Sequence, residues 1–184
     1  NQITVQNALG YVTTTLYDVM GNPTGTIDAL GYRTTTTYNA AIQRIASQDQ
    51  LGYVTTYGYD SSGRPNSVKN ARGYITTTVY NARDAIASVD ALGFRTTTTF
   101  DAVGRAVAST SALGYIQTTV YDAAGQVSAS IDPLGYRTTY TYNAVGASES
   151  VTNARGYVST SVYATNSNRL AASVDALAYR TSFN

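Results

Sequence analysis

Carboxylates are the groups in this chain with the widest chemistry open to them, and nine of its ten aspartates occupy the first position of a turn. Asp18, Asp28, Asp49, Asp60, Asp90, Asp101, Asp122, Asp132 and Asp175 each open a four-residue segment that closes on glycine or, once, on alanine. Two chemistries fit such a row. Carboxylate oxygens repeated at a fixed interval are hard ligands of the kind that hold calcium between turns. An aspartate at the first position of a type I turn instead caps it, accepting a hydrogen bond from the backbone two residues on. Asn70, Asn143, Asn153 and Ser111 fill the same slot. A cap tolerates that exchange, whereas a hard-cation site weakens with each charge lost. Capping is the favoured reading, and neither a metal nor a cofactor is expected.

The tyrosines form the second constellation. Tyr17, Tyr38, Tyr59, Tyr80, Phe100, Tyr121, Tyr142 and Tyr163 make a ladder, with a companion series that includes Tyr11, Tyr53 and Phe94. Such rings suit redox work, or the stacking of glycans or nucleobases. Phe94 and Phe100 show that the ring matters more than the hydroxyl where they stand. Cross-strand aromatic and threonine pairs each stabilise a sheet by roughly 0.2–1 kcal/mol, so packing is the favoured role. A third slot holds Arg33, Arg95, Arg137 and Arg180, alternating with Val12, Val54, Ile75, Ile116 or Val158, as a solvated outer face does. Catalytic residues are expected to be absent. The chain contains no Cys or His, which removes thiolate and imidazole metal sites and the Ser-His and Cys-His nucleophile pairs, and Glu149 is its only glutamate.

The elements that must position these residues are strands. Gly10, Gly31, Gly52 and Gly73 are spaced by 21 residues, and Gly93, Gly114, Gly135 and Gly156 resume that spacing. These primary turns start at residues 7, 28, 49, 70, 90, 111, 132, 153 and 175. A second turn lies mid-period, as in Asp18-Val-Met-Gly21, Asp60-Ser-Ser-Gly63, Asp101-Ala-Val-Gly104, Asp122-Ala-Ala-Gly125 and Asn143-Ala-Val-Gly146. Turn signals every 9 to 11 residues leave about six or seven residues per strand. Asp28 with Gly31 and Asp132 with Gly135 mark primary turns of the same design, Pro133 pre-setting φ in the latter. Glycine at the fourth position accepts the positive φ of a bulged hairpin.

Between turns, Tyr136, Thr138, Tyr140 and Tyr142 share one face of a strand, since side chains alternate with period 2. The length changes fall near Asn81–Asp84 and Ala164–Asn168, in second turns, which absorb them without flipping strand faces. In the second strand of each repeat, Val127 and Ile131 lie on one alternation and Val107 on the other, so both faces remain open as the buried one. About seventeen strands at a spacing of ~4.8 Å would make a sheet on the order of 80 Å wide, which twist should curl.

The pattern resembles the YD-repeat, or Rhs-repeat, family. The matching stretches are Tyr59-Asp60-Ser-Ser-Gly63-Arg64, Phe100-Asp101-Ala-Val-Gly104-Arg105 and Tyr121-Asp122-Ala-Ala-Gly125-Gln126, and the phased copies run through the whole chain. The resemblance implies β-hairpins that spiral into a hollow shell. It also implies large secreted or surface proteins such as polymorphic toxins, insecticidal-toxin cocoons and teneurins. No effector domain or self-cleaving aspartyl site of the toxin branch can be matched here.

The expectation is therefore an all-β array of antiparallel hairpins, residues 1–184 forming one array of eight to nine repeats, curled or spiralling into the wall of an extracellular shell, tube or filament. An adhesin that binds glycans, and a cocoon segment of an Rhs-type toxin, are the alternatives. The chain is read as a window of a longer polypeptide, because Phe183 and Asn184 fall in mid-strand. Expected partners are adjacent repeats of the same chain or further copies of it, with enclosed cargo or glycan as further candidates. With 12 Lys and Arg against 11 Asp and Glu, and no clustered run of cations, no nucleic acid is expected. No stretch is apolar enough for a membrane-spanning helix.

Overall fold

The computed structural model describes residues 1–164 and 169–183, and every regular element among them is a β-strand. The chain divides into two compact units, Asn1–Arg95 and Thr96–Asn184. The first contains β1 (Gln2–Gln6), β2 (Val12–Tyr17), β3 (Pro23–Ile27), β4 (Arg33–Tyr38), β5 (Arg44–Gln48), β6 (Val54–Tyr59), β7 (Pro65–Lys69), β8 (Ile75–Tyr80) and β9 (Ala85–Val89). The second is built from β10 (Arg95–Phe100), β11 (Ala106–Thr110), β12 (Ile116–Tyr121), β13 (Val127–Ile131), β14 (Arg137–Tyr142), β15 (Ser148–Thr152), β16 (Val158–Tyr163), β17 (Leu170–Val174) and β18 (Arg180–Ser182). Eighteen strands lie among the described residues, against about seventeen expected.

Within each unit the strands form an antiparallel meander. Each pairs with its neighbours in sequence, as β2 does with β1 and β3, and β14 with β13 and β15. The second-turn hairpins share a register shift beside the ladder aromatic, between Leu16 and Tyr17, Thr37 and Tyr38, Gly58 and Tyr59, and Val120 and Tyr121 among others. The strand after the turn supplies the extra residue of this bulge. Leu16 faces Gly25 while Tyr17 faces Pro23.

The face left open by the sequence is settled by small residues. Gly25, Ala46, Ser67, Ala87, Ala108, Ala129, Ser150 and Ala172 stand at the centres of the five-residue strands. Ala129, for example, lies opposite Val120 on one side and Thr139 on the other, and its accessible surface is zero. The only other buried hydrophobic side chains among the described residues are Ala87 and Ala172. Among the described residues each unit is thus a single layer, strands contacting only their neighbours in sequence. Its cohesion comes from backbone ladders and cross-strand side-chain pairs, each worth a fraction of a kcal/mol and repeated many times.

Candidate functional site

The repeated element is the turn together with the residue that follows it. In the second turns, Asp60 Oδ1 accepts the backbone N–H groups of Ser62 and Arg64, both at 2.9 Å, and Asp101 Oδ1 accepts those of Val103 and Arg105 at 3.0 and 2.9 Å. Asp18 does the same with Met20 and Asn22, and Asp122 accepts the Gln126 N–H at 2.8 Å. The primary turns repeat the arrangement, Asp28 with Leu30 and Tyr32, and Asp132 with Leu134 and Tyr136. Gly21, Gly31, Gly63, Gly104, Gly125 and Gly135 close these turns with φ between 79° and 88°. Among the described residues no group of three acidic side chains lies close enough to hold a metal ion.

Two four-residue turns place a residue other than glycine at the positive-φ position. The chain turns at Asn39-Ala-Ala-Ile42, where Ile42 adopts φ 60°, and at Asp175, where Ala178 adopts φ 66°. The first lacks the glycine signal, but Asn39 Oδ1 still caps Ala41 and Gln43 at 3.0 and 2.9 Å. The shortened second turn closes one residue earlier, with the Asn81 N–H donating to the Asp84 carbonyl. The insertion expected after Ala164 lies outside the described residues.

At four second turns the residue after the positive-φ position, Gln43, Arg64, Arg105 or Gln126, ties its hairpin to the next, a role the spacing alone did not reveal. Arg64 donates from Nε to Asp60 Oδ2 at 2.8 Å and from Nη1 to the Asn81 carbonyl at 2.9 Å. Its guanidinium lies 4.3 Å from the ring centroid of Tyr80. Arg105 pairs with Asp101 at 2.7 Å and stacks 4.5 Å over Tyr121. Where the slot is glutamine, the bridge persists without charge: Gln43 Nε2 donates to the Gly63 carbonyl at 2.8 Å and Gln126 Nε2 to that of Gly146 at 3.3 Å. The backbone N–H of Arg64, then its side chain, hold the Asp60 carboxyl below the usual carboxylate range, and Arg105 acts likewise on Asp101. At Asp18 the Asn22 side-chain amide is the main cause of the same shift.

The ladder hydroxyls make a second set of ties. Tyr38, Tyr59, Tyr80, Tyr121, Tyr142 and Tyr163 donate to the carbonyls of Pro23, Arg44, Pro65, Ala106, Val127 and Ser148, at 2.8–3.1 Å. Each crosses from one hairpin to the preceding one. Tyr17 and Phe100 close β2 and β10 in the same position.

At the primary turns the edge is apolar. Leu9, Leu30, Leu51, Leu92, Leu113, Leu134 and Leu177 are 72–80% exposed, and Tyr11, Tyr32, Tyr53, Tyr115 and Tyr136 beside them 52–59%. Of the arginine slot expected from sequence, Arg33, Arg95, Arg137 and Arg180 begin their strands and are exposed.

The RHS Repeat family model matches residues 38–75 and 121–158. Each stretch runs from a ladder tyrosine to just past a primary turn. Comparison with curated proteins gave no match. Among solved structures, the chain resembles a mutant Tc holotoxin pore from Photorhabdus luminescens, at 17% identity over 94% of this chain and 12% of that one, with a TM-score of 0.48. TcdB2-TccC3 without its hypervariable C-terminal region gives 17% identity, the same coverage and a TM-score of 0.47. A porin-like protein from Bacteroides uniformis aligns at 13% identity over 99% of this chain and 92% of that one, with a TM-score of 0.35. The chain spans about an eighth of the toxin chains it matches.

Proposed function

Because residues 38–75 and 121–158 are RHS repeats, we propose that this chain builds a wall: a structural, non-enzymatic array whose hairpins curl into an extracellular or cell-surface shell, tube or filament. The observation that carries this reading is the tie between hairpins, a hydroxyl bridge and a turn-side bridge recurring from repeat to repeat, in a single layer with almost no core. Such a layer gains cohesion with each added repeat and does not depend on a closed hydrophobic interior. The exposed leucine edge supports the same reading, since a repeating apolar border calls for cover by an adjacent winding or by another copy of the chain. In a shell, the enclosed volume would be available to cargo.

Electron microscopy of the native material tests it. Continuous walls or fibres with a repeat near two strand spacings, ~9.6 Å, are expected. Dispersed monomers without regular walls would remove the proposal.

A further inference from the structure

We propose that two grooves on the primary-turn edge bind an acidic sugar residue, one in each unit. The inference is independent of whether the chain forms a wall. Most primary turns read Asp or Ser, then Ala or a similar residue, then Leu. Two of them, Asn70-Ala-Arg72-Gly73 and Asn153-Ala-Arg155-Gly156, carry the same double replacement. Relative to Asp-Ala-Leu, each exchange removes a carboxylate and adds a guanidinium. The amide keeps the cap, since Asn70 Oδ1 still accepts from Arg72 and Tyr74, and Asn153 Oδ1 from Arg155 and Tyr157. The replacement therefore changes the charge of the turn and leaves its conformation intact.

A groove lies against each of these turns. The first, about 580 Å³, is lined by Tyr53, Val54, Thr56, Lys69 and Arg72. The second, about 380 Å³, is lined by Tyr136, Arg137, Thr139 and Asn153, with Arg155 on the turn that makes its wall, between the lining residues Ala154 and Gly156. Both volumes suit a small ligand. The first groove brings together two cations, Lys69 and Arg72, and the second is lined by Arg137 with Arg155 on the bordering turn; each adds an aromatic ring that is 59% exposed and threonine hydroxyls. Among the described residues no ion pair engages Lys69, Arg72, Arg137 or Arg155, whereas Arg64 and Arg105 are held by Asp60 and Asp101. The carboxylates of the turns that supply Gly52 and Gly135 to the grooves, Asp49 and Asp132, cap their own turns.

An acidic sugar matches this set. The exposed tyrosine offers an apolar face for a pyranose ring, the guanidinium forks onto a carboxylate or sulfate, and the hydroxyls meet ring substituents. Two isolated pairs of cations do not make the continuous positive track that a nucleic-acid backbone needs.

The test is calorimetric titration of the full chain with a uronate oligosaccharide, a sulfated oligosaccharide and a neutral one of equal length, and with free acetate and sulfate. Two sites per chain for an acidic oligosaccharide are expected, with at least tenfold weaker binding of the neutral sugar and the free anions. The paired changes Asn70→Asp/Arg72→Leu and Asn153→Asp/Arg155→Leu install the turn chemistry the chain already uses at Asp28–Gly31 and Asp90–Gly93. Each should remove one site, and all four changes together should remove both. Tyr53→Phe should retain the first site and Tyr53→Ala weaken it tenfold or more. Equal binding of neutral sugar or free anion, binding unchanged in the fourfold variant, or no acidic oligosaccharide bound at millimolar concentration would each overturn the proposal.

Discussion

The guanidinium of Arg64, at the end of one second turn, lies 4.3 Å from the ring centroid of Tyr80 on the following hairpin, while its Nη1 donates to the backbone carbonyl of Asn81. One side chain thereby links its own turn, through Asp60, to the aromatic and the backbone of the next repeat. Arg105 repeats the stack on Tyr121. The Gly-Arg ending of the motif is a connector between repeats as well as a turn ending.

A double-mutant cycle on Arg64→Ala and Tyr80→Leu should give a coupling of about 0.5–1 kcal/mol, the usual worth of a cation–π pair that is not deeply buried. Thermal unfolding of the full chain measures it, since 1 kcal/mol moves Tm by about 2–4 °C at this size. Strict additivity of the two changes would show that the stack contributes nothing.

The hydroxyl bridges predict a graded effect. Tyr142→Phe removes the donor to the Val127 carbonyl, 2.9 Å away, and should cost about 0.5–1.5 kcal/mol. Tyr142→Ala should cost more, because it also removes the ring. Equal stability of Tyr142→Phe and the parent chain in denaturant titration would mean the hydroxyl is idle.

Ile42 sits at φ 60° where other turns use glycine. A left-handed conformation costs a side-chain-bearing residue roughly 1–2 kcal/mol, while glycine loses about 0.5–1 kcal/mol more backbone freedom on folding. The first effect is the larger, and Ile42 is half-exposed, with little packing to lose. Ile42→Gly should therefore stabilise the chain by about 0.5–1 kcal/mol, read as a higher denaturation midpoint.

Ala129 has no accessible surface and lies opposite Val120 and Thr139. Ala129→Leu should force those neighbours apart at a cost of about 1–3 kcal/mol. An unchanged midpoint would show that the central slot has room to spare.

Acid should weaken the array through its capped aspartates. Asp18, Asp60 and Asp101 have folded-state pKa values below their ordinary value, so the unfolded chain binds protons more readily than the folded one. Their contribution is complete above the unfolded pKa of about 3.9 and is lost as pH falls through that value towards the lower folded ones. Unfolding midpoints should be level from neutral pH to about 5 and drop below about 4. The Asp60→Asn/Asp101→Asn variant should start lower and decline less steeply.

What the sequence determined by itself was local. Turn chemistry repeats at fixed intervals, so Asp28 with Gly31 and Asp60 with Gly63 announce hairpins, and alternation between turns dictates strands. Asn39-Ala-Ala-Ile42 escaped that reading because its final residue gives no glycine signal, although the asparagine cap was present. What only the tertiary structure decided was lateral. The burial of the small residues at the strand centres depends on register between adjacent strands, and the reach of Tyr142 to the Val127 carbonyl and the stacking of Arg64 on Tyr80 on register between residues 15 and 16 apart. Spacing along the chain can suggest such a register, but the bulge beside each ladder aromatic shifts it by one residue, and only coordinates reveal which side chains then meet.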